Sequence, residues 1–505
     1  MFEAGGWVIL ESEIADLPAD LRWLFETEAI TLDQLAVLHA SSRATAVSDL
    51  ADLVRRGQLR QLPGFGRELE QAVAAVLPHL RVTRSRIPLG RATLIAEHIM
   101  AALSDGAILD WAEPVGSLRR GQDTVGDIEL VASAANPDAV FAALLERVEV
   151  ARVLHRSPRR LYVMTDGTQV GIRCPEPGRA GAALLHLTGS YAHLDQLHAR
   201  ASRRGWTLGP AGLDRADGLP AVGETEDAIY QALDLQWVPA EIRDGDAELR
   251  YAESGTLPAL IERRHIRGDL HMHTNYSDGR DTIEAMVQAC VALGYEYMAI
   301  TDHSPNSTAN RNLTPDAVDR QAEEIAGLRE RFPQITILHG CEVDILADER
   351  LDFPDRMLER FDIVLASLHD RARHGPETLL RRYAAAMRHP LVSVITHPTN
   401  RLVPSRPGYE LDYDRLFATA VETGTMVEID GGPSHLDLDG VLARRAVAAG
   451  AMLVVDSDSH RADALMRQME FGIKTARRGW VEARHVMNTK PLAELRTLIT
   501  GKRAR

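Results

Sequence analysis

The carboxy-terminal half of the chain alternates short apolar runs with amphipathic stretches, and this alternation restricts its fold more than any other feature. Seven runs from Ile266 onward have the length and character of strands, namely IRGDLH, YMAIT, ITILHG, FDIVLAS, VSVIT, MVEI and AMLVV. Helical patterns separate them, at residues 282–293, 315–331, 379–388, 413–423 and 441–449. Repeated strand–helix units imply parallel strands that are buried on both faces. Seven such units fit a closed (β/α) barrel better than an open sheet, and no dinucleotide-binding glycine fingerprint argues for the open form.

Histidines and carboxylates occur at the ends of six of these seven predicted strands. In chain order they are His271, His273 and Asp278, then Asp302 and His303, Glu342, His369, His397, and finally Asp456, Asp458 and His460. The carboxyl ends of parallel barrel strands converge on one rim, where active sites form. Alternate residues of a strand point the same way, so pairs such as His271 and His273 can direct two ligands at one point. Any one motif could be incidental, but chance is a poor explanation of the whole set.

In order, the segments GDLHMHTNYSDG, AITDHS, GCEVDIL, ASLH, THPTNR and DSDSH resemble the successive motifs of the polymerase-and-histidinol-phosphatase (PHP) phosphoesterases. The resemblance covers the whole carboxy-terminal half. It implies a distorted seven-stranded (β/α) barrel that binds two or three divalent metal ions. The metal ligands and catalytic residues that it implies are His271, His273, Asp278, His303, Glu342, His369, His397, Asp458 and His460.

The mixture of imidazole and carboxylate ligands suits zinc, manganese or iron, whereas magnesium and calcium favour oxygen ligands alone. Two such ions about 4 Å apart lower the pKa of a shared water and stabilise the attacking and leaving oxygens at phosphorus. Asp269 and Asp302 adjoin ligands and are predicted to orient them. Arg311, Arg373 and Arg401 lie in rim loops and are candidates for holding a substrate phosphate, with solvated loop charge as the alternative.

Residues 1–90 have a mostly helical pattern that a glycine turn interrupts. The segment LRQLPGFGR ends one helix and turns at Gly64 and Gly66 into another, predicted over residues 68–80. Gly-x-Gly between short helices is typical of a helix-hairpin-helix, which offers backbone N–H groups to a DNA phosphate. We therefore predict DNA contact at Gly64, Gly66 and Arg67, with an ordinary helical turn as the alternative.

The segments that follow resemble the nucleotidyltransferase signature of family X DNA polymerases: GSLRRG at residues 116–121, GDIEL at 126–130 and LTGS at 187–190. In that family a Gly-Ser turn and an arginine bind the nucleoside triphosphate, and carboxylates on the next strand bind two magnesium ions. The order of hairpin, palm, thumb and PHP domain matches the bacterial members over nearly the full chain. The nucleotide site that the resemblance implies consists of Gly116, Ser117, Arg120, Asp127, Glu129, Gly189 and Ser190.

Two positions depart from that signature. The family has Asp-x-Asp where this chain has Asp127 and Glu129, and a third carboxylate where this chain has Gly171. The change at Gly171 removes a metal ligand and the base for the primer 3′-hydroxyl, and Glu129 adds a methylene where magnesium geometry is tight. Asp127 could still bind Mg²⁺, but polymerisation is expected to be abolished or very weak. Schiff-base lyase chemistry needs a lysine amine, and no lysine precedes Lys474.

These patterns predict a multidomain α/β protein. The predicted domains are a helix-hairpin-helix region at residues 1–90, a nucleotidyltransferase-like palm at 91–180, a thumb-like subdomain at 181–245, a linker at 246–265 and the PHP barrel at 266–505.

The composition limits where such a protein works. A net charge of −15 argues against nucleic acid wrapped over the whole surface, although it leaves room for a local basic groove. No run approaches the ~20 apolar residues of a membrane span, and acids stand where a signal peptide would be basic. The three cysteines form no CxxC pair. We expect a cytoplasmic monomer with no membrane partner.

The expected function is hydrolysis of phosphate esters at nucleic-acid 3′ ends in DNA repair, by a 3′–5′ exonuclease or a 3′-end phosphatase. The front half would hold DNA, at ends or gaps, or a nucleotide. Three alternatives stay open: an active family X polymerase with a proofreading barrel, a small-molecule phosphatase of the histidinol-phosphatase type, and a non-enzymatic DNA-binding scaffold. The complete ligand set argues against the last.

Overall fold

The structure, a computed structural model, describes residues 21, 24, 29–42, 47–83, 86–104, 108–215, 220–307, 309, 311–369 and 373–504. The chain divides into two compact units. The first comprises Met1–Arg119 and Thr124–Gly255, and the second comprises Arg120–Asp123 and Thr256–Arg505. Of the helices formed by the described residues, none is long and apolar enough to span a membrane. The finer division of the first unit into three domains stays a prediction.

Seven parallel strands form one sheet in the second unit, and they neighbour one another in chain order. A parallel bridge between Met272 and Ser459 joins the segment after the first strand to the segment after the last, so the sheet is nearly closed into a barrel. The predicted (β/α) barrel is confirmed. Its strands are Gly268–Asp269, Tyr297–Ile300, Thr336–Asp344, Ile363–Ser367, Val394–Ile395, Met426–Asp430 and Leu453–Asp456.

The barrel helices begin and end at residues suited to those positions. Thr282 and Thr314 each accept a hydrogen bond from the backbone N–H three residues later, which satisfies a donor that the first helical turn leaves open. Gly424 and Gly450 follow two helices with φ of 68° and 85°, which glycine adopts without steric cost. The helices are Ile283–Ala292, Pro315–Arg331, Asp355–Leu358, Pro376–Arg388, Tyr413–Thr423, Gly440–Ala449, Leu465–Arg478 and Leu492–Arg503, with 3₁₀ turns at Arg263–His265, Ala462–Ala464, Ala483–His485 and Met487–Thr489.

Alternate strand residues fill the interior of the barrel. Met298 and Ile300 pack among the outer, helix-facing side chains, whereas their neighbours face the interior. The interior cluster contains Leu270, Tyr297, Ala299, Leu338, Ile363, Leu365, Val394, Met426 and Val454. Met487, Leu495 and Ile499 join this cluster at the end where the strands begin. Because apolar side chains seal that end, polar groups collect at the opposite end, where the strands finish.

A five-stranded sheet lies at the centre of the first unit, in the order Trp111–Pro114, Ile128–Ser133, Thr168–Arg173, Arg160–Thr165 and Arg152–Ser157. The second and third strands of this order are parallel, and the other pairs are antiparallel. The apolar runs at residues 127–132, 161–165 and 168–174 predict strands, and the three central strands agree with these bounds to within one residue at each end. Neither outer strand was predicted, because most of their side chains are exposed or only half-buried and so show no apolar run.

Helices and two short antiparallel pairs complete the first unit. Residues 180–204 have a continuous helical pattern in the sequence, but the structure contains two helices there. The Ser190 hydroxyl accepts a hydrogen bond from the His193 N–H and begins a new helix after Gly189. The helices are Leu32–Ser42, Val47–Arg55, Leu59–Gln61, Arg67–Thr83, Leu89–Ser104, Gly116–Arg119, Pro137–Arg147, Ala180–Thr188, Tyr191–Ser202, Glu226–Ala232, Ala240–Ile242 and Glu248–Ser254. The strand pairs are Ile87–Pro88 with Thr124–Val125, and Thr207–Gly209 with Gly212–Asp214.

A buried ionic cluster stabilises the last part of the first unit. Both oxygens of Glu226 accept hydrogen bonds from Arg119, at 2.8 and 3.0 Å, and from Arg243, at 2.5 and 3.0 Å. The Arg243 side chain is fully buried. Burial alone would raise the pKa of Glu226, but Arg243 and Arg119 lower it to about 2. Glu226 therefore carries the charge that neutralises these guanidinium groups.

Replacing Glu226 by alanine should destabilise this region, because the buried Arg243 would lose its counter-charge. Removing one partner of a buried ion pair costs about 3–5 kcal/mol. Amide hydrogen exchange at residues 220–250 should therefore be much faster in Glu226→Ala at neutral pH. Since the pKa of folded Glu226 lies below its ordinary value of 4.5, the stabilisation is complete above pH 4.5 and is lost as the pH falls towards 2.

Asp138→Ala is the matched control for this substitution. It removes an ion pair with Arg156 in which both side chains are exposed, and such pairs contribute only about 0–1 kcal/mol. Identical exchange in Glu226→Ala and in the wild-type chain would show that the buried cluster contributes no stability.

Candidate metal centre

The carboxyl ends of the barrel strands bring the nine predicted ligand residues together. They lie in four groups, three of which overlap, and in each group one ligand atom of each residue lies within 4.8 Å of the others. The groups are His273, Asp278, His303 and His460; His271, His273 and Glu342; Glu342, His369 and His397; and Asp430, His435 and Asp458. Asp430 and His435 are additional to the predicted set.

Glu342 lies at the centre of these groups and is only 1% exposed. Its Oε1 atom lies 2.9 Å from Nε2 of His397. Its Oε2 atom lies 2.9 Å from Nδ1 of His303 and 3.5 Å from Nε2 of both His271 and His273. Two ligand atoms that each bind a tetrahedral zinc ion at 2.0–2.2 Å are about 3.4 Å apart. The spacing around Glu342 therefore fits ions held between its carboxylate and the imidazoles.

Two aspartates approach the same imidazoles from the neighbouring loops. Asp458 Oδ1 lies 3.1 Å from His273 Nε2, and Asp278 lies 3.3 Å from His460 and 3.6 Å from His303. The His273 ring is stacked between the rings of His303 and His460, with centroid distances of 4.3 and 4.5 Å. The three rings thus present nitrogen atoms to both carboxylates.

The backbone at two of these positions adopts an uncommon conformation. His397 has φ of 25° and Asp458 has φ of 48°, a region that side chains other than glycine seldom occupy. Such residues cluster at active sites and ligand clamps, where the surrounding structure holds them in place. Here the conformation directs each side chain into the rim.

Hydrogen bonds to one ring nitrogen leave the other nitrogen of several histidines available as a ligand. His271 Nδ1 lies 2.6 Å from Glu428 Oε1, and His369 Nδ1 lies 2.7 Å from Asp344 Oδ1. His460 Nδ1 lies 2.9 Å from the backbone carbonyl two residues earlier. In each case the partner is an oxygen that accepts the Nδ1–H, so Nε2 is the nitrogen left for a metal ion, which is the usual arrangement around metal-binding histidines.

The two aspartates that were predicted to orient ligands bind backbone and hydroxyl groups beside them. Asp302 accepts hydrogen bonds from the Thr274 N–H at 2.8 Å, from its hydroxyl at 2.6 Å and from the Ser277 hydroxyl at 2.5 Å. Asp269 accepts a hydrogen bond from the Ser457 N–H at 3.2 Å. Asp302 thereby fixes the loop that leads to Asp278, and Asp269 ties the first strand to the last.

The charges at the rim shift the pKa values of its members in opposite directions. Burial alone would raise the pKa of Glu342, but His303 and His271 hold it well below its usual range. Burial lowers the pKa of His397, yet its hydrogen bond with Glu342 raises it to about 9. Burial likewise opposes the charge on His460, but Asp278 raises its pKa to about 9. Protons on the imidazoles therefore compete with any bound cation, and cation binding would release them.

Several buried polar atoms of the rim lack hydrogen-bond partners among the described residues. They are Glu342 Oε2, His303 Nδ1 and His397 Nδ1. The contact between Glu342 Oε2 and His303 Nδ1 is close, but its angles do not fit a hydrogen bond. Buried polar atoms without partners are costly, and a cation at their common focus would satisfy them. The residues present therefore fit a group of divalent ions.

The three rim arginines have different environments. Arg401 is largely buried, and its guanidinium donates to Asp123 at 2.8 Å and to the carbonyl oxygens of His435 and Leu436. It therefore holds the loop at residues 435–436 in this structure instead of facing a substrate. Arg311 donates to a backbone carbonyl at the protein surface, and Arg373 is exposed. These two stay candidates for contact with a substrate phosphate.

The palm carboxylate Glu129 is engaged by protein groups. Glu129 and Gly171 are direct neighbours on parallel strands, so the position where a third carboxylate was expected, and where Gly171 stands, lies beside Glu129. Glu129 Oε1 accepts hydrogen bonds from the Tyr162 hydroxyl and from Arg173 Nε, both at 2.7 Å. A Cβ atom added to Gly171 would lie 2.7 Å from the Tyr162 ring and 3.0 Å from Glu129. The space for another side chain is thus filled by Tyr162.

The other predicted nucleotide-binding residues lie at turns and helix ends. Gly116, with φ of 66°, begins the short helix that carries Ser117. Gly189 and Ser190 separate two helices. Arg120 and Asp127 follow the short helix, on either side of the strand Thr124–Val125.

The glycines Gly64 and Gly66 form a turn between a 3₁₀ helix and an α-helix, and the contact of this turn with DNA stays a prediction. The 3₁₀ turn Leu59–Gln61 leads to Gly64, whose φ of 77° favours glycine, and the next helix starts at Arg67. No described atom comes within 4 Å of a Cβ built on Gly64 or Gly66, so the turn is open to a ligand.

Sequence reasoning missed Asp430 and His435, although a signal was present. The sixth strand was the one predicted strand with no ligand at its end, and DGGPSH follows its apolar run MVEI. Asp430 is the last residue of that strand, and His435 lies in the loop after it. With these two residues, every strand of the barrel is followed by an imidazole or a carboxylate that reaches the rim.

The barrel and the convergence of imidazoles and carboxylates at its rim define a hydrolytic phosphoesterase of the PHP class. The PHP domain model matches residues 269–429, and the DNA polymerase beta thumb model matches residues 183–244. The chain is 32% identical over 495 residues to DNA polymerase/3′-5′ exonuclease PolX of Bacillus subtilis (strain 168). The aligned residues are 97% of this chain and 86% of that protein. The chain therefore belongs to the family X DNA polymerases that carry a PHP domain.

The barrel is also similar to bacterial proteins described as probable phosphatases. One from Caldanaerobacter subterraneus subsp. tengcongensis is 30% identical over 203 residues, which are 38% of this chain and 75% of that protein. One from Acetivibrio thermocellus is 32% identical over 204 residues, which are 38% of this chain and 78% of that protein. The comparison with a crystal structure of Leishmania infantum polymerase beta in a ternary complex gives 18% identity and a TM-score of 0.28. It covers 42% of this chain and 92% of the polymerase beta chain.

Gly171→Ala should destabilise the palm sheet, because the new methyl group would overlap the buried Tyr162 ring. Overpacking of this kind costs about 1–3 kcal/mol. Hydrogen exchange at residues 160–173 should be faster in the variant. Gly66→Ala, which meets no described atom within 4 Å, is the control. Unchanged exchange in Gly171→Ala would show that the position still has room for a side chain.

Proposed function

We propose that the barrel rim binds two or three divalent ions of zinc, manganese or iron and hydrolyses phosphate esters at nucleic-acid 3′ ends. The reaction would be that of a 3′–5′ exonuclease or a 3′-end phosphatase. The observation that carries this proposal is the convergence of the buried Glu342 and eight further imidazole and carboxylate side chains at one rim. The ligand set is His271, His273, Asp278, His303, Glu342, His369, His397, Asp458 and His460.

The protein's contribution to this chemistry is positioning and charge. When bound, the ions supply Lewis acidity, which lowers the pKa of a water and neutralises charge on a phosphate ester. Glu342 reaches imidazoles on opposite sides of the rim and holds them around one focus. Glu428 and Asp344 fix the tautomers of His271 and His369, so that both Nε2 atoms face this focus.

The front half is proposed to hold a DNA end or gap without reading its sequence. The open turn at Gly64 and Gly66, followed by Arg67 at a helix start, suits a backbone phosphate. The similarity over nearly the whole chain to a protein named polymerase and 3′–5′ exonuclease supports this assignment. The similarity of the barrel alone to probable phosphatases keeps a small-molecule phosphatase as the second candidate.

We further propose that the palm binds a nucleotide, or a single Mg²⁺ ion at Asp127, without polymerising. Two-metal nucleotidyl transfer needs carboxylates that hold both ions close to the reacting oxygens. Gly171 offers no ligand, and Glu129 is already neutralised by Arg173. The phosphate-binding turns at Gly116–Ser117 and Gly189–Ser190 are retained.

His273→Ala and Asp458→Ala should each reduce hydrolysis by more than about 100-fold, since even residues behind the ligands contribute 10–100-fold in such sites. Both residues lie within 3.1 Å of each other at the rim. The measurement uses manganese- or zinc-loaded full-length protein with DNA bearing a 3′-hydroxyl or a 3′-phosphate, and with histidinol phosphate.

The controls for these variants are His389→Ala and Asp414→Ala, which change the same residue types in the same barrel. His389 lies 3.2 Å from the exposed carboxylate of Asp355, and Asp414 forms a surface ion pair with Arg445. Full hydrolysis in both rim variants would refute the proposed site. Turnover of histidinol phosphate but not of DNA ends would favour the small-molecule phosphatase.

The palm is expected to bind nucleoside triphosphate in a calorimetric titration and to extend no primer at high enzyme concentration. The reason is that its phosphate-binding turns are present, whereas its metal-binding carboxylates are reduced to Asp127 and an engaged Glu129. Robust extension that disappears in Asp127→Ala would contradict the proposal. Absence of both binding and extension would favour a palm that serves only as a spacer.

A further inference from the structure

The end of the sixth barrel strand carries a group of potential ligands that the nine-residue set leaves out. Asp430 ends the strand Met426–Asp430, and His435 follows five residues later. Ligand atoms of Asp430, His435 and Asp458 lie within 4.8 Å of one another. Only Asp458 belongs to the set proposed above, so this group extends the rim on one side.

Asp430 is fully buried, and only one of its two carboxylate oxygens accepts a hydrogen bond from a described protein group. Its Oδ1 atom accepts a hydrogen bond from the Gly432 N–H at 2.5 Å. Its Oδ2 atom has no hydrogen-bond partner among the residues described. A buried carboxylate oxygen without a donor is unfavourable, and the nearby carboxylate of Asp458 adds repulsion. A cation between the two carboxylates removes both costs.

His435 is held so that its ring remains beside these carboxylates. The backbone N–H of His435 donates a hydrogen bond to the Gly432 carbonyl oxygen at 2.9 Å, and the backbone carbonyl of His435 accepts one from Arg401 Nε at 3.0 Å. Its ring is stacked on the His397 ring, with a centroid distance of 5.4 Å and an interplanar angle of 25°. The buried Nδ1 atom makes no hydrogen bond within the described part of the chain. An imidazole nitrogen is therefore available next to Asp430.

The loop between Asp430 and His435 is shaped for this close approach. A Cβ atom on Gly431 would lie 2.0 Å from the Gln468 carbonyl oxygen, and one on Gly432 would lie 2.9 Å from Asp430 Oδ1. Gly431 therefore has no room for a side chain where the loop folds back over the end of the strand, because the Gln468 carbonyl oxygen belongs to the backbone of a helix. The fold-back is what returns His435 to the carboxylate five residues earlier.

We propose that Asp430, His435 and Asp458 form a further divalent-cation site that shares Asp458 with the nine-residue centre. The inference rests on the proposed function of the barrel. Two carboxylates and one imidazole suit zinc, manganese or iron(II). Three protein ligands leave a coordination position open, as in catalytic sites, and that position can take water or a phosphate oxygen of the substrate.

The test counts the ions that the full-length chain retains. Protein is stripped with a chelator, equilibrated with Zn²⁺ or, separately, Mn²⁺ at a buffered free concentration, and analysed by elemental mass spectrometry. Asp430→Asn and His435→Gln should each retain about one ion fewer per chain than the wild type, because each removes a ligand of the same site. Asp414→Asn, which changes an exposed aspartate of the same barrel, should retain the wild-type number.

The stability of the metal-free chains gives a second readout that does not depend on activity. Without ions, Asp430→Asn should unfold at the same temperature as the wild type or higher, because it removes a buried, repelled carboxylate. With ions, the order should reverse, because the wild-type chain gains more from binding.

The outcomes separate this inference from the proposed function. Equal ion counts in the wild type, Asp430→Asn and His435→Gln, with hydrolysis that His273→Ala abolishes, would overturn the further site and leave the nine-residue centre intact. A wild-type chain that retains no ions would overturn both the further site and the nine-residue centre. A lower melting temperature of metal-free Asp430→Asn would show that the carboxylate serves the fold and would also overturn the inference.

Discussion

The buried carboxylate of Glu342 imposes the strongest constraint on the barrel. A buried charge is tolerated only when opposite charges or hydrogen-bond donors surround it, and four imidazoles lie within 3.5 Å of its two oxygens. Those imidazoles come from the ends of three different strands, so these strands must finish at a common rim. The apolar cluster beneath them excludes water from the other end, which strengthens each interaction at the rim.

Hydrogen bonds from neighbouring carboxylates fix the orientation of the side chains that converge at the rim. Glu428 and Asp344 orient histidines from behind, and Asp302 anchors the loop that carries Asp278. Barrel closure through Met272 and Ser459 keeps the first and last ligand segments side by side. These contacts fix the directions of the ligand side chains, and the buried atoms Glu342 Oε2, His303 Nδ1 and His397 Nδ1 have no hydrogen-bond partner among the described residues.

The palm also contains a buried carboxylate, but protein groups other than imidazoles compensate its charge. Glu129 is also largely buried, but Arg173 and Tyr162 satisfy it from within the protein. A carboxylate that is neutralised by a guanidinium has less to gain from a cation than one that lies among imidazoles and other carboxylates. This contrast between Glu129 and Glu342 supports the proposal that the barrel hydrolyses phosphate esters and that the palm binds a nucleotide without transferring it.

The sequence alone determined the barrel, because the alternation of apolar runs and amphipathic helices is a local property, and it determined the candidate ligands, because their positions follow the strand ends. It also located Gly171, which the sheet register places beside Glu129. Only the tertiary structure decided which buried groups neutralise one another. Arg173 reaches Glu129 from 44 residues away, Arg401 turns to Asp123 across 278 residues, and the fold-back after Asp430 brings His435 to Asp458. Such contacts depend on side-chain directions and on distances between strands, which no local pattern in the chain encodes.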